Sequence, residues 1–132
     1  MKFLIDTNIC IYAMKQNAIV LKHLLEQTRT DIVLSVITEA ELRTGAAKST
    51  SAVKTLRLLE NFLQPMTVLQ FTSDDAAAYA QVRAKLERAG TPIGPLDTLI
   101  AAQAVARKLT LVSNNEREFE RIAGLRLENW AS

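Results

Sequence analysis

Lys2-Phe3-Leu4-Ile5-Asp6-Thr7-Asn8-Ile9-Cys10-Ile11-Tyr12 begins with a short apolar run that stops on a carboxylate. Phe3, Leu4 and Ile5 are unbroken, as in a strand covered on both faces, and Asp6-Thr7-Asn8 are residues that start helices. The reading is strand, acid, helix. In an open α/β sheet ligands collect beyond the carboxyl ends of the strands, which makes Asp6 a candidate site residue. On these residues alone a helix N-cap is the commoner use of such an Asp, so the rest of the chain has to decide.

Further strands follow at residues 31–35, 67–69 and 110–112, with an edge strand at 125–127. Between them the pattern predicts helices through Met14, over an amphipathic stretch with Ile19, Val20, Leu24 and Leu25 inward, and from 36 to about 47. Others run from 51 to 64, ended by Pro65, from 73 to 89, stopped by Gly90, and from Pro95 to Lys108, with a short one near Asn115. Strands alternating with helices predict an α/β fold: a central, mainly parallel, four- to five-stranded sheet flanked by helices on both faces. With 132 residues the chain has the length of one domain, residues 1–132. In the helix at 51–64, Val53, Leu56, Leu58, Leu59, Phe62 and Leu63 cover more circumference than one core face needs. That helix is either sandwiched inside the domain or offers apolar surface to another chain.

Composition removes several function classes. No apolar run approaches membrane-spanning length, and no leader precedes the first strand, so the expected location is the cytoplasm, away from membranes. Cys10 is a single cysteine and His23 a single histidine, which excludes an internal disulfide and speaks against a His-rich zinc site or a Ser-His or Cys-His nucleophile. A net charge of +2 permits a polyanionic partner without pointing to one. No glycine-rich phosphate loop follows the first strand, which disfavours a dinucleotide or P-loop site.

The acids carry the chemistry. Glu39 has Arg43 four residues on, the order of an exposed ion pair, whereas Glu41, about 200° further round the helix, has no basic neighbour and is placed inward. Asp97 sits in the first turn of a helix that is apolar almost all round, where a buried carboxylate without a cation is costly. Glu118 follows Asn115 at capping-box spacing, so site and cap stand as equal readings. Parallel topology can gather Asp6, Glu41, Asp97 and Glu118, and carboxylates without His or Cys suit Mg²⁺ or Mn²⁺ acting on a phosphodiester.

In this order and spacing, Leu4-Ile5-Asp6-Thr7-Asn8, Thr38, Glu41, Leu42 and Gly45, Pro92-Ile93-Gly94-Pro95-Leu96-Asp97, and Ser113-Asn114-Asn115 with Glu118-Phe119 resemble a PIN-domain ribonuclease of the VapC toxin class, over essentially the full length. The resemblance implies the toxin component of a type II toxin–antitoxin module, a Mg²⁺-dependent endoribonuclease for which Mn²⁺ can substitute. It implies Asp6 and Asp97 as metal ligands, Glu41 as a further or water-mediated one, and Glu118 as the fourth acid. Thr7 or Asn8 would orient Asp6, and Ser113 would help hold metal or phosphate. Many relatives carry Asp where this chain has Asn115, which leaves a second metal less supported than a first. The expected partners are a VapB-type antitoxin inserting a C-terminal segment near the site, a second copy in a homodimer, a higher toxin–antitoxin assembly, and RNA. The RNA expected is transfer RNA, the initiator in its anticodon stem-loop.

Two rivals remain. An aspartyl-phosphate phosphatase also places Asp after the first strand, but requires a second Asp where this chain has Asn8. A PIN-like interaction module would fold without working metal.

Overall fold

Although β1 (Phe3–Ile5) is apolar throughout, its side chains divide: Phe3 and Ile5 enter one core and Leu4 the other. Strand alternation makes that division unavoidable, and it sets the two layers of the computed structural model, which describes residues 1–132. β2 (Ile32–Ser35), β3 (Thr67–Leu69), β4 (Thr110–Val112) and β5 (Arg126–Glu128) complete a five-stranded sheet in the order β3-β2-β1-β4-β5. Every pairing is parallel. β1 is therefore central, with Leu4 opposite Val33 on one side and Leu111 on the other.

The helices are α1 (Thr7–Met14), α2 (Ala18–Leu25), α3 (Val36–Lys48), α4 (Ala52–Leu63), α5 (Ser73–Arg88), α6 (Pro95–Arg107) and α7 (Glu116–Phe119). On one face Leu4, Val33 and Leu111 pack against Val82 and Leu86 of α5, Ile100 and Ala101 of α6, and Phe119 of α7. On the other, Phe3, Ile5, Ile32 and Val112 meet Ile9 of α1, Val20 of α2, Leu42 of α3, Leu59 of α4 and Trp130. The expected parallel sheet with helices on both faces is what forms.

Local chemistry explains the boundaries. Asn17 caps α2 by accepting from the backbone N–H groups of Ile19 and Val20. α5 starts on a reciprocal box between Thr72 and Asp75 and stops before Gly90, whose φ of +72° suits only a residue without Cβ. α6 starts at Pro95 and ends on Lys108, a left-handed residue with φ of 57°. Trp130 closes the second core edge-on to Phe3, with centroids 5.0 Å apart, and its indole N–H donates to Glu128.

Three expectations shift. β5 lies one residue later than expected, which places Glu128 opposite Val112. Ile19 and Leu25 of α2 were expected inward, yet they are 47% and 85% exposed, because so short a peripheral helix seats only Val20 fully. α4 is not sandwiched: it buries Leu59 and leaves Val53 76% and Leu58 53% exposed, so its surplus apolar side chains form an outer surface.

Candidate active site

Asp6 stands where the central strand ends and α1 begins, and it performs two tasks at once. Its Oδ1 accepts from the Thr7 backbone N–H at 2.8 Å, the helix-cap bond. Its Oδ2 accepts from the Ser113 hydroxyl at 2.7 Å and from the Asn8 amide at 3.4 Å. Ser113 follows β4, so adjacency of β1 and β4 in the sheet is what brings it there. Its hydroxyl oxygen also accepts from the Asn115 backbone N–H at 3.0 Å, which leaves its proton for Asp6. Cap and site readings of Asp6 are thus compatible. Burial pushes its carboxyl above the ordinary value, and the negative charge of Glu41 adds to that, against the lowering effect of the Ser113 and Thr7 bonds.

Glu41 turns inward, as its helical position predicted. The Thr7 hydroxyl donates to it at 2.7 Å and lies 3.4 Å from the fully buried Thr38 hydroxyl. Thr7 therefore serves Asp6 through its backbone and Glu41 through its side chain. Glu39, on the other side of α3, holds Arg43 at 2.7 Å.

Asp97, in the first turn of α6, is half-buried and pushed up to about 6: burial is the main cause, followed by the charges of Asp6, Glu118 and Glu41 and a hydrogen-bonding contact with Glu118. Asp6, Glu41 and Glu118 thus lie near enough for their charges to act on Asp97, each on an element that follows the carboxyl end of a strand. The capping-box reading of Glu118 fails, since Asn115 makes no side-chain cap bond. Glu118 instead accepts from the Asn115 side-chain amide at 3.1 Å and faces Asp97.

None of Asp6, Glu41, Asp97 or Glu118 belongs to a salt bridge; the chain's ion pairs use other acids. Converging carboxylates with no cation favour a bound one. No three of them close into a finished ligand cage. Mg²⁺ does not need one, because it commonly takes one or two carboxylates and keeps several waters. Carboxylate, hydroxyl and amide oxygens are hard donors, so the set fits Mg²⁺ or Mn²⁺ and offers nothing that selects zinc.

One link in the site escaped the sequence. Asn114 donates its backbone N–H to the Asn8 side chain at 3.1 Å and its amide to the Tyr12 hydroxyl at 3.2 Å, tying the β4 end to α1. Nothing in the residue pattern marks that link; only strand adjacency produces it. Cys10 lies fully buried beneath the site, where burial and the Asp6 charge push its thiol far up and keep it neutral. It packs rather than reacts.

Known proteins share this fold and much of this sequence. The PIN domain family model matches residues 3–125. The "tRNA(fMet)-specific endonuclease VapC" of Salmonella typhimurium is 40% identical over 130 residues, 98% of each chain. "Ribonuclease VapC2" of Haemophilus influenzae is 40% identical over 98% of each chain. Among solved structures, a chain of DNA-bound VapBC from Salmonella typhimurium superposes with a TM-score of 0.94 at 40% identity, again over 98% of each chain. No helix here is long and apolar enough to cross a membrane.

Proposed function

The chain belongs to the PIN-domain family and, within it, to the VapC ribonucleases; from that premise we propose that residues 1–132 act in the cytoplasm as a divalent-metal-dependent endoribonuclease. It is the toxin half of a toxin–antitoxin pair. The observation that carries the catalytic reading is the meeting of Asp6, Glu41, Asp97 and Glu118 with no basic side chain paired to any of them.

On this reading Asp6 and Asp97 would hold Mg²⁺ or Mn²⁺, Glu41 would be a further or water-mediated ligand, and Glu118 is the fourth acid. A cation held there would supply polarisation of the phosphodiester and neutralisation of charge on the departing oxygen. Ser113 and Asn8 orient Asp6 through its Oδ2, and Thr7 fixes Asp6 and Glu41 together. Asn115 holds Glu118 against Asp97. Asn8 carries an amide engaged with the Asn114 backbone, which supports a positioning role and not that of a second aspartate in phosphoryl transfer.

The substrate proposed is initiator transfer RNA, cut in its anticodon stem-loop; the printed specificity of the Salmonella relative supports this. The protein partner is a VapB-type antitoxin, in an assembly built on a toxin homodimer; related VapBC complexes support that reading. The test is cleavage of purified transfer RNA by purified protein. Cutting must require Mg²⁺, stop with chelator, and vanish in Asp6→Asn and Asp97→Asn variants that keep the circular dichroism of the parent. Cutting that survives either substitution would assign the activity elsewhere, and a folded wild type with no activity would favour a non-catalytic module.

A further inference from the structure

A cleft of about 170 Å³ opens between α5 and the 92–95 loop, lined by Tyr79, Arg83, Pro92, Ile93, Pro95 and Thr98. None of the four acids lines the cleft, but Pro95 and Thr98 flank Asp97 in the first turn of α6, and Asp97 Oδ2 lies 4.0 Å from the Cβ position of Gly94 in the same 92–95 loop, which sets the cleft beside Asp97. Arg83 is held in place on its wall. Its guanidinium carbon lies 5.9 Å from the Tyr79 ring centroid, and its Nη1 donates to the Tyr79 hydroxyl at 3.0 Å. Tyr79 packs against the core, which gives the cation a rigid support. Glu87 accepts from Nε at 3.4 Å, and Nη2 has no protein partner.

The acidic site presents four carboxylates to a polyanion and pairs none of them with a basic side chain. A strand of RNA entering it gains from a fixed cation alongside. Proteins recognise unpaired RNA by stacking its bases on aromatic rings or arginine planes, and they hold its phosphates with arginine. The cleft combines those elements at a size suited to one planar ring and not to a helix.

Building on the ribonuclease reading above, we propose that the Tyr79–Arg83 cleft is a nucleotide subsite of this enzyme. Arg83 Nη2 takes a phosphate flanking the scissile one, and the adjoining unpaired base lies between the guanidinium plane and the Pro92–Ile93 wall. Arg83 and Tyr79 thus help to fix which bond of a single-stranded loop reaches Asp97.

Binding of an end-labelled single-stranded RNA, followed by fluorescence anisotropy across a salt series, tests this in the Asp97→Asn background, where bound RNA stays intact. Arg83→Gln is expected to weaken binding about fivefold and to flatten the log–log salt slope by about 0.7, the loss of one phosphate contact. Tyr79→Phe, which keeps the ring and loses the hydroxyl that positions Arg83, moves affinity the same way by less. Lys54→Gln, an equal charge change on α4, leaves the slope alone. With Asp97 restored, Arg83→Gln raises KM and largely spares kcat. Equal effects of Arg83→Gln and Lys54→Gln would reduce the contribution to the general field and overturn the subsite. So would unchanged RNA binding, including the case in which Arg83→Gln alters only sedimentation and the face belongs to a protein partner. A wild type that still cuts RNA in those cases leaves the ribonuclease reading standing; one that neither binds nor cuts RNA removes both.

Discussion

Asp97 and Glu118 face each other as two carboxyls within hydrogen-bonding reach, one in the first turn of α6 and the other on α7. Burial is the main reason that Asp97 holds its proton above the ordinary carboxylate value, and the neighbouring negative charges of Asp6, Glu118 and Glu41 add to the effect. On the proposed function, a divalent cation held by Asp97 would compete with that proton for the same oxygens.

That competition sets a pH dependence. With Asp97 pushed up to about 6, cation affinity is expected to be flat above that pH and to fall roughly tenfold for each unit below it. Titration of Mn²⁺ into metal-free protein by calorimetry between pH 5 and 8 reads this directly. Affinity that stays constant down to pH 5 would mean that Asp97 is not a ligand.

In the absence of metal the same shift acts on stability. The folded state holds the Asp97 proton more tightly than the unfolded chain does, so its contribution is fully present below the ordinary carboxylate value and is lost as pH rises to about 6. At neutral pH the charged group opposes folding. Asp97→Asn is therefore expected to stabilise metal-free protein by about 1 kcal/mol, a figure discounted because solvent screens a half-exposed side chain. Urea melts at pH 7.5 with chelator should show a higher midpoint at unchanged slope, alongside abolished cleavage.

The two glutamates of α3 should separate cleanly. Glu41→Gln removes a charge bound to Thr7 beside the cation site, with an expected loss of roughly 100-fold in kcat. Glu39→Gln removes only an exposed contact with Arg43, and both activity and melting temperature should hold. A crippling effect at Glu39 with a silent Glu41 would mean that the working face of α3 is the opposite one.

A structural counterpart lies far from the chemistry. Asp75, 1% exposed, closes the α5 capping box and accepts from Arg107 at 2.9 Å and Gln103 at 3.2 Å. Burial pushes its carboxyl up, but the Arg107, Thr72 and Gln103 hydrogen bonds outweigh that and leave it below the ordinary value. Its contribution is present at neutral pH and is lost as pH falls through and below the carboxylate range, the opposite sign to Asp97. Arg107→Met is expected to cost about 2 kcal/mol, less than a fully buried pair because Arg107 is partly solvated. Cleavage per folded molecule should be unchanged, which kinetics on melt-corrected samples would show.

What could be read in advance follows from periodicity and pairing. β3 and β4 fall at the expected residues because short β-branched runs between turn residues have few alternatives, and the Glu39–Glu41 division rests only on helical rotation. The Asp75–Gln103–Arg107 cluster was invisible because each member had a sufficient local explanation: a first-turn acid, a polar interruption of an apolar helix, a basic helix end. The misplacement of Ile19 and Leu25 has the reverse cause, an apolar stripe with no tertiary surface to cover it. The link from Ser113 to Asp6 depends on β1 lying beside β4, and local spacing fixes no strand order.

That strand order has a bearing on how the molecule is made. The central strand is synthesised before both of its neighbours, β4 follows it by more than a hundred residues, and the segment from β4 onward supplies Ser113 and Glu118. A nascent chain on the ribosome therefore carries Asp6 from the outset without the groups that complete its pocket. Residues 110–118 have to emerge before Asp6 gains its Ser113 hydrogen bond and Asp97 its Glu118 neighbour, so the proposed activity would be withheld until then.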